Sequence, residues 1–206
     1  MKTMKLTLPL LTVVFLQSCA IRPLTYFEIE PFIKPSRALI HEPLNLVLLE
    51  DVRDSFAVEG EGVKRMKVTE FRRSLAASME NALRDNFDVI SLSETKPDSG
   101  LSLVIYRVKP FWKINSRMSS PSAIGGAVYY STSSMISAGF RFESALFFDN
   151  KKIRDADGTV YSDDQMSVIS QAHQVFKDGL TRACEAINLE LFRDEQIATD
   201  RAEMEP

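Results

Sequence analysis

The spacing of hydrophobic and polar residues predicts a strand and then a helix in the first half of the chain. Residues 44–51, "LNLVLLED", are apolar on both faces, which is typical of a central strand covered on both sides. A Gly- and charge-rich loop, "EGEGVKRMK", follows. An amphipathic helix is then predicted by residues at steps of three and four: Val68, Phe71, Leu75, Met79, Ala82, Leu83 and Asn86. We expect Thr69 to be its N-cap and Glu70 to interact with the positive end of the helix dipole.

Four further stretches have the composition and spacing of strands. They are residues 87–93 ("FDVISLS"), 101–112 ("LSLVIYRVKPFW"), 139–148 ("GFRFESALFF") and 153–161. In the third, the apolar side chains Phe140, Phe142, Leu146 and Phe148 share one face, and Arg141 and Glu143 point away from it. The "DNKK" sequence after it predicts a turn into the last strand.

A second helix is predicted near the C-terminus. Residues 162–165, Ser-Asp-Asp-Gln, match a capping box. An apolar stripe follows: Met166, Ile169, His173, Phe176, Leu180, Ala183, Ile187 and Leu191. Gly179 is a position where this helix could bend. The stripe also fits a short coiled coil, but it lacks organised flanking charges, so packing into the core is the favoured interpretation.

The order of these elements predicts an α+β fold. Strand, helix, four strands and helix suggest an antiparallel-rich sheet with two helices on one face, which is a two-layer sandwich.

The N-terminus has the pattern of a processing signal. Lys2 and Lys5 precede an apolar run of 11 residues, 6–16, which is too short to span a bilayer but has the size of a signal-peptide core. The sequence Leu16-Gln17-Ser18-Cys19 that follows resembles the bacterial lipobox. The resemblance implies cleavage before Cys19 and acylation of that cysteine, while an ordinary secretory signal is the alternative. Ala20 at the next position implies the outer membrane, on its periplasmic side.

Four segments follow from this interpretation. Residues 1–18 are the signal peptide, 19–43 a lipidated tether containing proline, 44–193 a single α+β periplasmic domain, and 194–206 a polar tail. Within the tether, "TYFEIEPF" alternates enough to be a short edge strand, so we expect part of the tether to dock on the domain.

Charge and cysteine content narrow the partners. The net charge is −3 and becomes more negative when Lys2 and Lys5 are removed, so no nucleic-acid partner is expected. The chain has two cysteines. If Cys19 carries lipid, Cys184 has no intramolecular disulfide partner, and we expect it to be a buried small hydrophobe.

The sequence predicts no catalytic group, no metal site and no cofactor. His41 and His173 are far apart in sequence, and no serine stands in a nucleophile elbow. Residues 155–158, "DADG", open like a calcium loop, but Val160 and Met166 stand where Gly and Glu are required, so a turn is predicted. The "GEG" at 60–62 is interpreted as a loop.

A cluster of charged residues follows the first predicted strand. It consists of Glu50, Asp51, Arg53 and Asp54. A solvated loop is the favoured interpretation of these residues over a charged site.

A serine-rich stretch, residues 114–137, is the candidate partner-binding region. It contains a Gly-Gly pair and large apolar groups that are costly to expose together. The candidate contact residues are Met118, Ile124, Val128, Tyr129 and Tyr130. The alternatives are a loop folded back on its own sheet or an extended hairpin.

Several stretches together resemble a superfamily of small envelope lipoproteins: the lipobox, "YFEIE", "LLEDVRDS", "FRRSLAASMENALRDNFDVI" and "LSLVIYRV". It includes the YajG-type lipoproteins, the auxiliary lipoproteins of ABC-type lipid transport systems and, more distantly, LptE. The resemblance implies a non-enzymatic accessory or scaffold protein, held on the membrane by the lipid on Cys19 and bound to an envelope protein. The alternative is a periplasmic module that binds a hydrophobic ligand such as lipid between sheet and helices, lined by Phe140, Phe142 and the helix stripe.

Overall fold

The structure, a computed structural model, describes residues 24–25, 29, 42–60, 66–118, 122–124, 127–129, 132–163, 165–166 and 172–192. The strands are β1 Leu24–Thr25, β2 Leu44–Leu48, β3 Phe56–Gly60, β4 Met66–Thr69, β5 Ile90–Ser93, β6 Leu101–Met118, β7 Ser122–Ile124, β8 Ala127–Tyr129, β9 Thr132–Phe148, β10 Lys151–Tyr161 and β11 Gln165–Met166. The helices are α1 Phe71–Leu83 and α2 Ala172–Leu191. The predicted α+β class, with both helices packed on one face of a sheet, is confirmed.

Strand β6 is the central strand of the sheet. One of its edges pairs in parallel with β2 and, farther along, with β3, while the other edge pairs antiparallel with β9. Outward from β6 lie β2 and β5 on one side and β9 and β10 on the other, and β1 and β4 extend the sheet beyond β3. The longest ladders are antiparallel, as predicted, but the strands beside α1 are parallel.

The sequence prediction missed the hairpin of β3 and β4. Residues 59–67 were expected to be a loop, and Val68 was assigned to the first helix. Val58 and Val68 are instead buried strand residues. Val68 stands three residues before Phe71, so it fits the helical period by coincidence.

The N-cap prediction for Thr69 was wrong, because Thr69 is the last residue of β4. Helix α1 begins at Phe71, after Glu70 in a left-handed conformation with φ of 56°. Asp54, from the loop after β2, caps the helix instead: its backbone oxygen accepts from Phe71 N at 3.0 Å and its Oδ1 from Arg72 N at 3.2 Å. Of the charged cluster at 50–54, this residue therefore has a structural role, and the other three are exposed.

The prediction of a capping box at residues 162–165 was also wrong. Gln165–Met166 is strand β11, which pairs with β9 at Met135 and Ile136. Ser162 is buried, and its Oγ accepts from Ala138 N at 2.9 Å. His173 is exposed on α2 rather than part of the apolar stripe.

Helix α2 packs into the core of the domain. Its Phe176, Leu180, Ala183, Ile187 and Leu191 are all buried. Two asparagines join it to α1: Asn86 Nδ2 donates to Asn188 Oδ1 at 2.6 Å, and Asn188 Nδ2 donates to Ala82 O at 2.8 Å. The core-packing interpretation of the stripe is confirmed.

Cys184 lies on the same buried side of α2 and is fully inaccessible. Burial raises the pKa of its thiol far above the ordinary value, because the thiolate would have no water around it. The expectation of a buried small hydrophobe is confirmed.

The N-terminal segment contacts the domain at two places. β1 pairs in parallel with β4. Ile29 is buried, its N–H donates to Ser78 Oγ at 3.3 Å, and its carbonyl accepts from Asn81 Nδ2 at 2.9 Å. Within the described residues, neither helix is long and apolar enough to cross a membrane.

Candidate interaction surface

The hairpin of β6 and β9 extends past the neighbouring strands. Its ladder runs without a gap from Leu101 opposite Phe148 to Met118 opposite Thr132, with one bulge after Ile105. At 18 residues, β6 is about 60 Å long at 3.3 Å per residue. Residues 114–118 and 132–137, expected to belong to a serine-rich loop, are therefore strand, and the extended-hairpin alternative is confirmed. We call this end of the hairpin, from residue 114 to residue 137, the arm.

The predicted contact residues lie at the far end of the arm. Met118 is the last residue of β6, and a small hairpin of β7 and β8 follows. In that hairpin Ile124 is opposite Ala127, Val128 opposite Ala123, and Tyr129 opposite Ser122. Tyr130 lies outside the described residues, and so does Cys19.

Side chains of the sheet alternate between an inner face, which carries the helices, and an outer face. The outer face is covered at one end by residues 94–100, which connect β5 to β6. Lys96 Nζ lies 4.8 Å from the Phe147 ring on this face and contacts the Asn150 side chain. Beneath the connection Val47, Ser102, Val104 and Ala145 are buried.

The handedness of the two crossover connections explains which face is covered. The connection from β2 through α1 to β5 crosses the sheet in one direction, and the connection from β5 to β6 crosses back in the other. Because parallel crossovers are right-handed in nearly all proteins, the two connections lie on opposite faces.

The other end of the outer face carries no such cover within the described residues. Six side chains form what we call the outer platform: Lys109, Phe111 and Lys113 from β6, Arg141 from β9, and Thr159 and Tyr161 from β10. The Phe111 and Tyr161 rings meet edge to face with centroids 5.7 Å apart, and Lys113 Nζ lies 5.2 Å from the Tyr161 ring. Tyr161 remains 42% exposed. The platform therefore combines aromatic area with three cations.

Gly139 brings the two rings together. It is the residue of β9 opposite both Phe111 and Tyr161. A Cβ at Gly139 would lie 2.3 Å from the Phe111 ring. The missing side chain therefore lets the ring lie over the strand.

Next to the platform the outer face becomes polar and forms a shallow depression of about 580 Å³. Arg107 pairs with Glu143 and Lys152 with Asp155, both at 2.8 Å and both about half exposed. The hydrogen bond to Asp155 raises the pKa of Lys152, and partial burial raises the pKa of Tyr106. Exposed pairs of this kind stabilise the fold little.

The space proposed for a hydrophobic ligand is filled by protein side chains. The Phe140 ring lies 5.7 Å from that of Phe176, and the Trp112 ring lies 4.6 Å from that of Phe176. A Cβ at Gly179 would come within 2.6 Å of Phe140. Gly179 thus allows α2 to approach the sheet closely, and the layer that a ligand would occupy is packed here.

The described residues contain no group of three metal-binding side chains placed to hold an ion. Residues 155–158, predicted to be a turn, are part of β10. The turn predicted from the "DNKK" sequence is confirmed: Asp149 and Asn150, between β9 and β10, adopt φ values of 44° and 69°.

Of the six residues of the outer platform, the sequence pattern identified one. The alternation along β9 correctly predicted that Arg141 lies on the opposite face from Phe140. Phe111 and Tyr161 were not recognised, because each belongs to a strand whose partners were unknown. The feature that could have indicated them is Gly139, a glycine within β9 that lies opposite both rings.

The sequence matches no family model, and no curated protein matches it. Solved structures do. Protein XCC0632 from Xanthomonas campestris, described as DUF330, is similar over 86% of this chain and 99% of its own at 11% identity, with a TM-score of 0.51. This likeness shows a shared fold. A neuraminyllactose-binding hemagglutinin homologue from Helicobacter pylori (13% identity, 85% and 98% covered, TM-score 0.43) and a minor lipoprotein from Acinetobacter baumannii (11%, 73% and 92%, 0.36) are similar at lower scores.

Proposed function

We propose that this protein is a lipid-anchored envelope protein that acts, without catalysis, as an accessory or scaffold component of an envelope transport or assembly system. The anchor is the lipid on Cys19, and the contact surface is the arm together with the outer platform. The observation that carries the proposal is the continuity of these two regions. Strands β6 and β9 form the arm and, together with β10, the outer platform, and the inner face of the same two strands packs against the helices.

The composition of the outer platform supports a protein partner. Tyrosine, phenylalanine and arginine, which the platform provides as Tyr161, Phe111 and Arg141, are enriched in protein interfaces. The ion pairs next to the platform, Arg107 with Glu143 and Lys152 with Asp155, resemble the polar rim that surrounds such a centre.

The anchor is tested by replacing Cys19 with Ala. The variant lacks the acyl acceptor, so we expect it to lose incorporation of a radioactive fatty acid. Cys184→Ala is the matched control and should label like the wild type. Equal labelling of Cys19→Ala and the wild type would contradict the lipid anchor.

The contact surface is tested with two sets of changes in the intact chain. Tyr129 and Tyr130 are changed together to Ser in the arm, and Arg141→Glu is made on the outer platform. Lys151→Glu, a charge reversal at the other end of β10, is the matched control. We expect the first two variants to fold and to lose proteins that co-purify with the wild type, because interface anchors contribute about 2 kcal/mol or more.

The outcomes of this experiment are distinct. If the control loses the same proteins, charge reversal acts non-specifically. If Arg141→Glu and the arm variant both keep every partner, the contact surface lies elsewhere and the proposal fails.

A further inference from the structure

The two edges of the sheet next to the helices are protected to very different degrees. At one edge β10 carries the charges Lys151, Lys152, Arg154, Asp155 and Asp157, which discourage another strand from pairing. At the opposite edge β5, "ISLS", carries no charge and no proline. In the described part of the chain β5 pairs only with β2, so half of its backbone donors and acceptors point outward.

Among the described residues, the β5 edge also carries the two large apolar side chains with the highest exposure. Leu92 is 64% exposed, and Val89 just before the strand is 53% exposed. Leu92 stands level with the buried Leu46 of β2, on the inner face of the sheet. It therefore faces the same side of the sheet as the core, and no strand of the described residues lies beyond it.

A groove of about 380 Å³ lies between this edge and α1. Leu48, Ala76 and Leu92 provide its apolar lining, and Arg73 and Glu80 stand along its helix side. Natural sheets usually protect an edge with these properties, and an unprotected one is a template for strand addition.

We propose that the β5 edge is an interface with a second copy of this chain, related by a two-fold axis, so that two sheets join through antiparallel β5 strands. A four-residue ladder provides few hydrogen bonds by itself, but a two-fold interface makes each side-chain contact twice. Leu92 from each copy then fills the groove beside the other.

Charges on α1 match this symmetry. Arg73 and Glu80 lie at equal distances along the helix from the pair Ala76 and Ala77. When two copies of α1 run antiparallel about an axis near these alanines, Arg73 of one copy faces Glu80 of the other. Both side chains are exposed and already form pairs within the chain, with Glu70 and Arg84, so the second copy extends two surface pairs into a network.

The test is made on the intact chain in its membrane, with a photo-crosslinking amino acid at position 92. The matched control is the same amino acid at position 189, because Leu189 on α2 is also an exposed leucine. We expect position 92 alone to give a product of twice the chain mass, joined at β5 of the second copy by peptide mapping. A product joined to a different protein, or no product, would overturn the proposal.

Charge reversal provides a second measurement. Arg73→Glu places two glutamates opposite each other and should lower the yield of this product, whereas Arg73→Glu combined with Glu80→Arg restores opposite charges and should restore it. Failure of the double variant to recover, with native circular dichroism, would overturn the two-fold geometry.

Sedimentation of the detergent-extracted chain completes the test. Leu92→Lys should weaken self-association at least tenfold, about 1.4 kcal/mol, while Leu189→Lys leaves it unchanged. A wild type that is monomeric at all concentrations, or a Leu92→Lys variant as dimeric as the wild type, would contradict the interface.

Discussion

On the inner face of the sheet, Phe176 of α2 packs against Phe140 and Trp112 and is completely buried. On the outer face, Tyr161 packs against Phe111 with similar geometry but keeps 42% of its surface exposed. Both are edge-to-face contacts. Phe176 of α2 lies against rings of β6 and β9, and Tyr161 of β10 lies against a ring of β6. The difference is that a helix completes the inner pair, whereas the described chain leaves the outer pair open. Equal contacts therefore contribute to folding on one face and remain available for binding on the other.

The largest test of this comparison is truncation of one ring on each face. Phe176→Ala should lower the free energy of unfolding by about 3–5 kcal/mol, because it removes a buried ring and leaves a cavity. Tyr161→Ala should lower it far less, since the ring is already partly in water. Urea denaturation followed by the fluorescence of Trp112, the single tryptophan of the chain, measures both. Similar losses from the two variants would mean that the outer platform is also part of the core.

The asparagine pair between the helices gives the next largest effect. Asn188→Ala removes both hydrogen bonds and leaves the buried Asn86 amide without its acceptor, so we expect a loss of about 1–3 kcal/mol. Changing Asn86 to Ala as well should restore part of this loss, because the unsatisfied donor is then absent. A double variant whose loss equals the sum of the two single losses would show that the two side chains are not coupled.

Two glycines provide a sharper comparison, since each lies beneath an aromatic ring. A Cβ at Gly179 would lie 2.6 Å from the buried Phe140, and a Cβ at Gly139 would lie 2.3 Å from the partly exposed Phe111. Overpacking of a core costs about 1–3 kcal/mol, while Ala in a helix gains about 1 kcal/mol over Gly.

We expect Gly179→Ala to be the more destabilising of the two, despite the shorter contact at Gly139, because the Phe111 ring can move into solvent and the Phe140 ring cannot. Thermal unfolding of both variants measures the order. The opposite order would indicate that the Phe111 ring is held as firmly as the core.

These elements also separate what the sequence could predict from what it could not. The α+β class and the buried side of α2 follow from periodicity, because burial repeats with the period of the element. The hairpin of β3 and β4 was missed because Val68 fits both the strand and the helix of Phe71. The cap from Asp54 could not be predicted, since it comes from a residue 17 positions away in sequence from Phe71.

The arm and the outer platform depend on pairing between distant strands. Ser116, Ser133, Ser134 and Ser137 have a weak local preference for a strand, and only the ladder between β6 and β9 makes them strand residues. Likewise, the meeting of Phe111 and Tyr161 follows from register across Gly139 and from no local pattern. The prediction of a lipid on Cys19 rests on a motif and remains a prediction.

The smallest expected effect concerns Cys184. Burial raises the pKa of its thiol, so above a pH of about 8.5 the unfolded chain loses a proton that the folded chain keeps. The stability that this thiol contributes is therefore fully present below that pH and falls as pH rises, by at most about 1.4 kcal/mol per pH unit. The difference in unfolding free energy between the wild type and Cys184→Ala, measured from pH 7 to 10, should narrow with rising pH. A difference independent of pH would contradict this assignment.

Beyond Arg107 the ladder of β6 and β9 has no bulge, and this limits how the length of the arm can change in evolution. Removing one residue from each strand would turn every side chain beyond that point to the opposite face, whereas removing two from each would preserve both faces. Viable lengths therefore differ in steps of two residue pairs, about 7 Å each. The distance between the domain and the tip of its arm can therefore change only in these steps. Related chains can reach partners at different distances from the domain only in the same increments.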